Sequence, residues 1–199
     1  MNLIDIDKPH SISISKTRWE KKLVSFSERV SRTTNYSDCG QTSLTFKTYQ
    51  HFVGKLIELS VFFLLTEYGF DPKEPDFSIY EKKDKSWLSD LSVDGFDISV
   101  KGQDLSSAKR FGLSWTFQNI QDGRKDSALR KQNEVVMPGL YDNSKKTNYH
   151  TIIFPPKKMG EILFEEPKKD SLKGKKKVMY AHSNYTDVNK WLTEADIKI

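Results

Sequence analysis

The chain has 199 residues, 36% of them hydrophobic and 30% charged, with 32 Lys and Arg against 27 Asp and Glu and a formal charge of +5. A chain near this length buries on the order of 70% of its unfolded surface, enough for one core, and 12% aromatic residues argue against wholesale disorder. No apolar run approaches the roughly 20 residues that span a bilayer, the N-terminus MNLIDIDKPH lacks a secretory pattern, and the single Cys39 offers neither an internal disulfide nor a thiolate-rich zinc site, so a reducing, cytoplasmic setting is expected.

Alternating Ile4, Ile6 and then Ile12, Ile14 read as a short strand or extended arm. Over residues 16–31, Trp19, Leu23, Phe26 and Val30 recur at the spacing that lines one face of a helix. A Ser-, Thr-, Asn- and Gly-rich loop is expected over 33–45. Residues 47–68 predict a second helix, apolar around most of its circumference and therefore central, with Gly69 as its stop. Past Gly69 the pattern predicts strands at 77–80, 87–93 and 96–101, with turns at Asp84-Lys85 and Asp94-Gly95. The Asp-Gly pair is the more informative, because a two-residue type I′ turn needs positive φ at both positions. Residues 111–120 read as a strand or helix and 149–154 as a strand, separated by the polar stretch 121–133. The tail brings a Lys-rich segment at 168–177, a strand at 178–180 and a short helix at 185–195. The expected organisation is an N-terminal helical or arm region at 1–46, a core at 47–154 and a basic C-terminal extension packed on it at 155–199. The expected class is α/β (α+β), a central mixed sheet with an antiparallel hairpin, flanked by helices.

A two-residue loop at Asp94-Gly95 sets Val93 opposite Phe96, Leu91 opposite Ile98 and Asp90 opposite Ser99. Alternation then gives one face Leu91, Val93, Phe96, Ile98 and Val100, and the other Asp90, Ser92, Asp97, Ser99 and Lys101. A solvated polar face explains such a split; Lys101, extending from the same face as Asp90 and Ser99, points to a site. The run from Asp90 to Lys101 resembles the active-site hairpin of the PD-(D/E)xK nuclease superfamily, where an Asp begins one strand and a (D/E)-x-K triplet lies on the next. Gly54-Lys55-Leu56-Ile57-Glu58 resembles the helix that carries a Glu toward that site. The resemblance covers about a third of the chain, residues 54–118, and departs from the pattern at Ser99, which stands where the triplet has an acid. Pro75-Asp76 matches the superfamily's name literally but lies a strand too early.

The resemblance implies a restriction-endonuclease-like fold and a Mg²⁺-dependent endodeoxyribonuclease, with Mn²⁺ able to substitute. Asp90, Lys101, Glu58 and Ser99 would be the site residues, with Asp90, Glu58, the Val100 carbonyl and Asp97 as metal ligands and Glu58 or Asp97 compensating for Ser99. Gln103 and Gln118 would hold water or phosphate around them. A lysine acting as base needs a depressed pKa, which neighbouring carboxylates oppose, so an electrostatic role is expected for Lys101. The DNA backbone would be met by Lys168, Lys169, Lys173, Lys175, Lys176 and Lys177, which with Asp170 carry a local charge equal to that of the whole chain. Bases would be read from Asn119, Gln121, Arg124, Arg130, Lys131, Gln132 and Asn133, with the basic residues of the first helix as a rival surface. Cutting both strands implies a homodimer, to which the Trp19, Leu23, Phe26, Val30 stripe is one candidate contact, the other role for that stripe being ordinary core. The alternatives are a Holliday-junction resolvase of the same superfamily and a non-catalytic DNA-binding protein with a decayed site.

Overall fold

The computed structural model describes residues 3, 6–33, 43–80, 89–119, 126–131, 134–168 and 170–199, and of these 127, 130 and 171 by backbone alone. Strand β1 (His10–Ser15) runs directly into α1 (Lys16–Thr33). Helix α2 (Leu44–Glu67) starts at Ser43, whose hydroxyl accepts the Phe46 N–H, and gives way to Gly69 at φ 83°. Nine of its residues are buried, which agrees with a central helix. The hairpin of β2 (Leu91–Val93) and β3 (Phe96–Asp104) closes through Asp94 and Gly95 at φ 47° and 80°, with Val93 paired to Phe96 and Leu91 to Ile98. Both turn residues take the positive φ that the type I′ geometry demands.

Asp104 then caps α3 (Leu105–Phe111), its carboxylate accepting the Ser107 N–H, and Gly112 leads into β4 (Ser114–Gln118). A 3-10 turn at Ser127–Arg130 precedes β5 (Val135–Asp142), β6 (Asn148–Ile153), β7 (Lys157–Lys158), β8 (Phe164–Glu165), β9 (Lys176–Tyr180), α4 (Ala181–Asn184) and α5 (Val188–Glu194). The main sheet is six-stranded in the order β1-β6-β5-β3-β2, with β7 also on β5. It is mixed: β3 and β5 are parallel and the other pairs antiparallel. A second antiparallel sheet has the order β4-β9-β8.

Two cores lie on opposite faces of the main sheet. One joins α1, α2 and the inward residues Leu91, Val93, Ile98, Val100, Val135 and Met137. The other joins α3, the second sheet and α5 to Val136, Leu140 and Ile152. Helix α2 approaches over a pair of glycines, Gly102 and Gly139, which are register partners on β3 and β5; a Cβ at Gly139 would come within 2.5 Å of Ile57 Cγ2.

Several expectations need correction. Residues 77–80 form no strand, because Asp76 turns back on its own chain, its carboxylate accepting the Ser78 N–H and the Tyr80 hydroxyl. Strand β5, buried at every position, went unforeseen because Pro138-Gly139 reads as a break. The proline fits where β5 changes partners, after Val135 and Val136 pair with β7 and before Gly139 begins the pairing with β6. The polar face of the hairpin is not open throughout, since Ser99 is 4% exposed. The helical stripe packs inward in part: Leu23 is fully buried, Trp19 meets Phe63 and Phe77, and Phe26 meets Phe77, while Trp19, Phe26 and Val30 are half-buried. The turn at Asp84-Lys85 and the loop over 34–42 lie outside the described residues. Among the described residues no helix is long and apolar enough to cross a membrane.

Candidate functional site

The hairpin sets the first contact. Asp90, one residue before β2, accepts the Val100 N–H through Oδ2 at 2.7 Å. Solvent reaches the residue, yet protein mass crowds its carboxylate. That desolvation pushes its pKa up, against the pull of Lys101, the Val100 N–H and Lys55, while Asp126 adds a further push upward.

Alternation puts Ile98 and Val100 toward α2, so Ser99 and Lys101 project from the opposite face of β3. There Lys101 Nζ is 2.8 Å from Asp126 Oδ2 and 4.9 Å from the centre of the Phe117 ring of β4. Asp126 also caps the 3-10 turn by accepting the Ala128 N–H at 3.2 Å. A structural carboxylate thus fixes Lys101.

Glu58 belongs to α2, in the layer on the other side of the sheet. Its side chain is 14% exposed and pairs with Lys55 one helical turn earlier. Lys55 Nζ also donates to the Asp76 carbonyl at 2.9 Å and lies 4.8 Å from the Phe26 ring centre. Desolvation pushes the Glu58 pKa to about 7; Lys55 opposes this, Asp90 adds to it, and Lys101 opposes it more weakly. Glu58 is therefore within electrostatic reach of both Asp90 and Lys101. Asp97, the other acid considered to compensate for Ser99, is committed elsewhere: Oδ2 takes Lys131 at 2.6 Å and Oδ1 the Ser89 hydroxyl at 2.8 Å. These bonds hold its pKa below the ordinary value.

A cleft of about 690 Å³ opens beside Lys101. Its floor is the second half of β3, from Lys101 to Asp104; one wall is the first half of α2, the other β4 and β9. Lys168 and Lys176 line it, together with Tyr49, Phe111 and Tyr180. Two of the lysines singled out in the sequence thus share a groove with Lys101. The rest of that segment divides: Lys177 leaves on the other face of β9 to lie 5.5 Å from the Phe164 ring centre, Lys173 pairs with Asp170 at 2.7 Å, and Lys175 donates its N–H to the Leu172 carbonyl. Lys176 and Lys177 are part of β9 rather than of a loop.

No family model, curated protein or solved structure matches the chain.

Gln103 spans β3 and the start of β4, donating to the Gly112 carbonyl at 3.1 Å and accepting the Ser114 N–H at 2.9 Å. Each end of its amide thus has a structural partner, and the residue also lines the cleft. Gln118 accepts from Lys176, its cross-strand partner. Lys169, Gln121, Arg124, Gln132, Asn133 and the Arg130 side chain lie outside the described residues. Sequence reading passed over Asp126 and Lys55, and also Glu134, which is 2% exposed. Asp126-Ser127 has the look of a cap signal, and Lys55 lies three residues before Glu58; either pattern was visible.

Among the described residues no group of three or more His, Cys, Asp or Glu is placed to hold a metal ion. Mg²⁺ commonly uses only one or two carboxylates and keeps several waters. Among the described residues one buried carboxylate oxygen, Glu134 Oε2, has no hydrogen-bond partner.

Proposed function

We propose that the chain is a metal-dependent endonuclease that hydrolyses phosphodiester bonds in DNA, cutting duplex as a homodimer. The observation that carries this reading is one arrangement: Asp90 is tied to the backbone of β3 one residue before Lys101, and Lys101 lines the same cleft as Lys168 and Lys176. The acid stands beside Lys101, and Lys101 opens on a groove that two further lysines line.

In this reading Asp90 and the Val100 carbonyl would hold the ion, and Glu58 would contribute from the helix layer. When bound, the ion neutralises charge on the phosphate and activates a water. Lys101 rests on Asp126 and turns to a phosphoryl oxygen when substrate enters, its ammonium countering the charge that develops there. Lys168 and Lys176 carry the flanking phosphates, and Tyr49, Phe111 and Tyr180 offer ring surfaces to sugars or bases.

The test is plasmid cleavage in Mg²⁺ or Mn²⁺ by the wild type, Asp90→Ala and Lys101→Ala, with linear duplex and four-way junctions alongside. Nicking or linearisation by the wild type and a fall of at least about a hundredfold in either variant is expected, since a single electrostatic contact of this kind is worth ~10²–10³ in rate. Preferential cutting of junctions redirects the reading to a resolvase. A second reading has its own support: Ser99 in the acid's position favours a DNA-binding protein that no longer cuts. Salt-sensitive binding by a wild type that leaves every substrate intact would establish it.

A further inference from the structure

Glu134 is the least explained charged residue of the fold. It is 2% exposed, and its Oε2 has no hydrogen-bond partner. A buried carboxylate oxygen left without a donor is costly, so some other group is expected to meet it. Its backbone is fully used, the N–H donating to Lys131 and the carbonyl accepting from Met159. The side chain alone is unexplained.

Its position is informative. Glu134 immediately precedes Val135, the register partner of Ile98, so it enters β5 beside Asp97. Val136 belongs to the core on the face away from α2, and alternation puts Glu134 on that face with it. Ser99, partner of Val136, and Lys101 occupy the same face. Glu134 is thus diagonal to Ser99 across one parallel strand pair, on the face that Ser99 and Lys101 share. Glu58 approaches from the opposite layer and Asp97 is bonded to Lys131 and Ser89. Desolvation is the main influence raising the Glu134 pKa; Lys131 opposes it, and Asp97, Asp90 and Asp126 each add to the rise. The neighbouring carboxylates therefore surround it electrostatically, and Lys131 is the cation that answers it.

We infer that Glu134 supplies the carboxylate missing at Ser99, and that with Asp90 it forms a two-carboxylate site for a hard divalent cation. This deepens the endonuclease reading by naming its second acidic ligand. The unpartnered oxygen is the one turned to the ion, and the site takes Mg²⁺ or Mn²⁺ rather than a softer metal because every donor is oxygen.

Direct Mn²⁺ binding tests it without relying on cleavage. Free Mn²⁺ is counted by electron paramagnetic resonance in titrations of the whole chain, as wild type, Glu134→Gln, Glu134→Asp, Asp90→Asn and Glu58→Gln, and thermal unfolding is followed with and without Mn²⁺. Expected are one site in the wild type and affinity at least about tenfold weaker in Glu134→Gln and Asp90→Asn, since even residues that only support a ligand cost 10–100-fold. Glu134→Asp retains part of the affinity, and Glu58→Gln loses less than Glu134→Gln. Glu134→Gln should unfold at a higher temperature than the wild type without metal and gain less from Mn²⁺, which shows that it folds. If Glu134→Gln binds Mn²⁺ as the wild type does while Asp90→Asn does not, the assignment of Glu134 is overturned and the endonuclease reading stands. If the wild type binds no Mn²⁺, both fall.

Discussion

Glu58 is a carboxyl group that folding makes harder to ionise. Desolvation, reinforced by Asp90, moves its pKa from 4.5 to about 7 although Lys55 is bonded to it. The sign follows from linkage: a group whose folded pKa is raised contributes stability fully present below its unfolded value and lost as pH rises through the folded one. Asp90 and Glu134 are displaced in the same direction, each mainly by desolvation. Asp97 runs the other way, its benefit lost as pH falls through its lowered pKa, but its side chain is 46% exposed and the contribution is small. The metal-free protein is therefore expected to unfold at a higher temperature near pH 5 than near pH 8. Each raised pKa unit is worth ~1.4 kcal/mol, so Glu58 accounts for at most about 3 kcal/mol. Thermal scans in chelator across that range check this. Glu58→Gln should flatten the dependence, and an equal slope in the two proteins would show that Glu58 ionises normally.

At the scale of elements, the connection between the two sheets hangs on side-chain amides and caps. Gln103 satisfies a carbonyl at Gly112 and an N–H at Ser114, where α3 hands over to β4. Gln103→Ala leaves the Ser114 N–H without its acceptor while the Gly112 carbonyl keeps the Ser114 hydroxyl, and is expected to lower stability by about 1 kcal/mol or more, read as a lower urea midpoint at unchanged slope; a shift under 0.5 kcal/mol would show that water replaces the amide. The same elements explain what could be read in the sequence. The hairpin was legible because Asp94-Gly95 leaves one register and alternation does the rest. Helices α1 and α2 were legible from spacing that the structure uses, Leu23 and the buried run from Val53 to Leu65. Strand β5 was hidden, because the partner change that admits Pro138 is a property of the sheet and not of the chain. The site was hidden for the same reason: Asp126 and Glu134 come to the hairpin through the β3 and β5 pairing and a cap. They lie 25 and 33 residues beyond Lys101 in sequence.

For the whole molecule, the modest net charge conceals a division of the lysines. Lys168 and Lys176 line the cleft with Lys101, whereas Lys177 and Lys173 are turned to Phe164 and Asp170. If DNA lies along the cleft, the logarithm of its binding constant falls with the logarithm of salt by ~0.9 for each phosphate a lysine neutralises. Replacing Lys168 and Lys176 together by Ala should reduce that slope by about 2. Replacing Lys173 and Lys177 should leave it nearly unchanged. Fluorescence anisotropy over a salt series measures both, and equal losses from the two pairs would place the DNA elsewhere.

The glycine pair under α2 has a bearing on this chemistry from a distance. Gly102 and Gly139 stand side by side, and Ile57 drops into the space where their side chains would be. The next residue along the helix is Glu58. Two absent methyl groups therefore act as a gauge block, fixing how far above the sheet the helix rides and with it the gap between the Glu58 and Asp90 carboxylates. The strength of their mutual repulsion is tuned by residues that carry no charge.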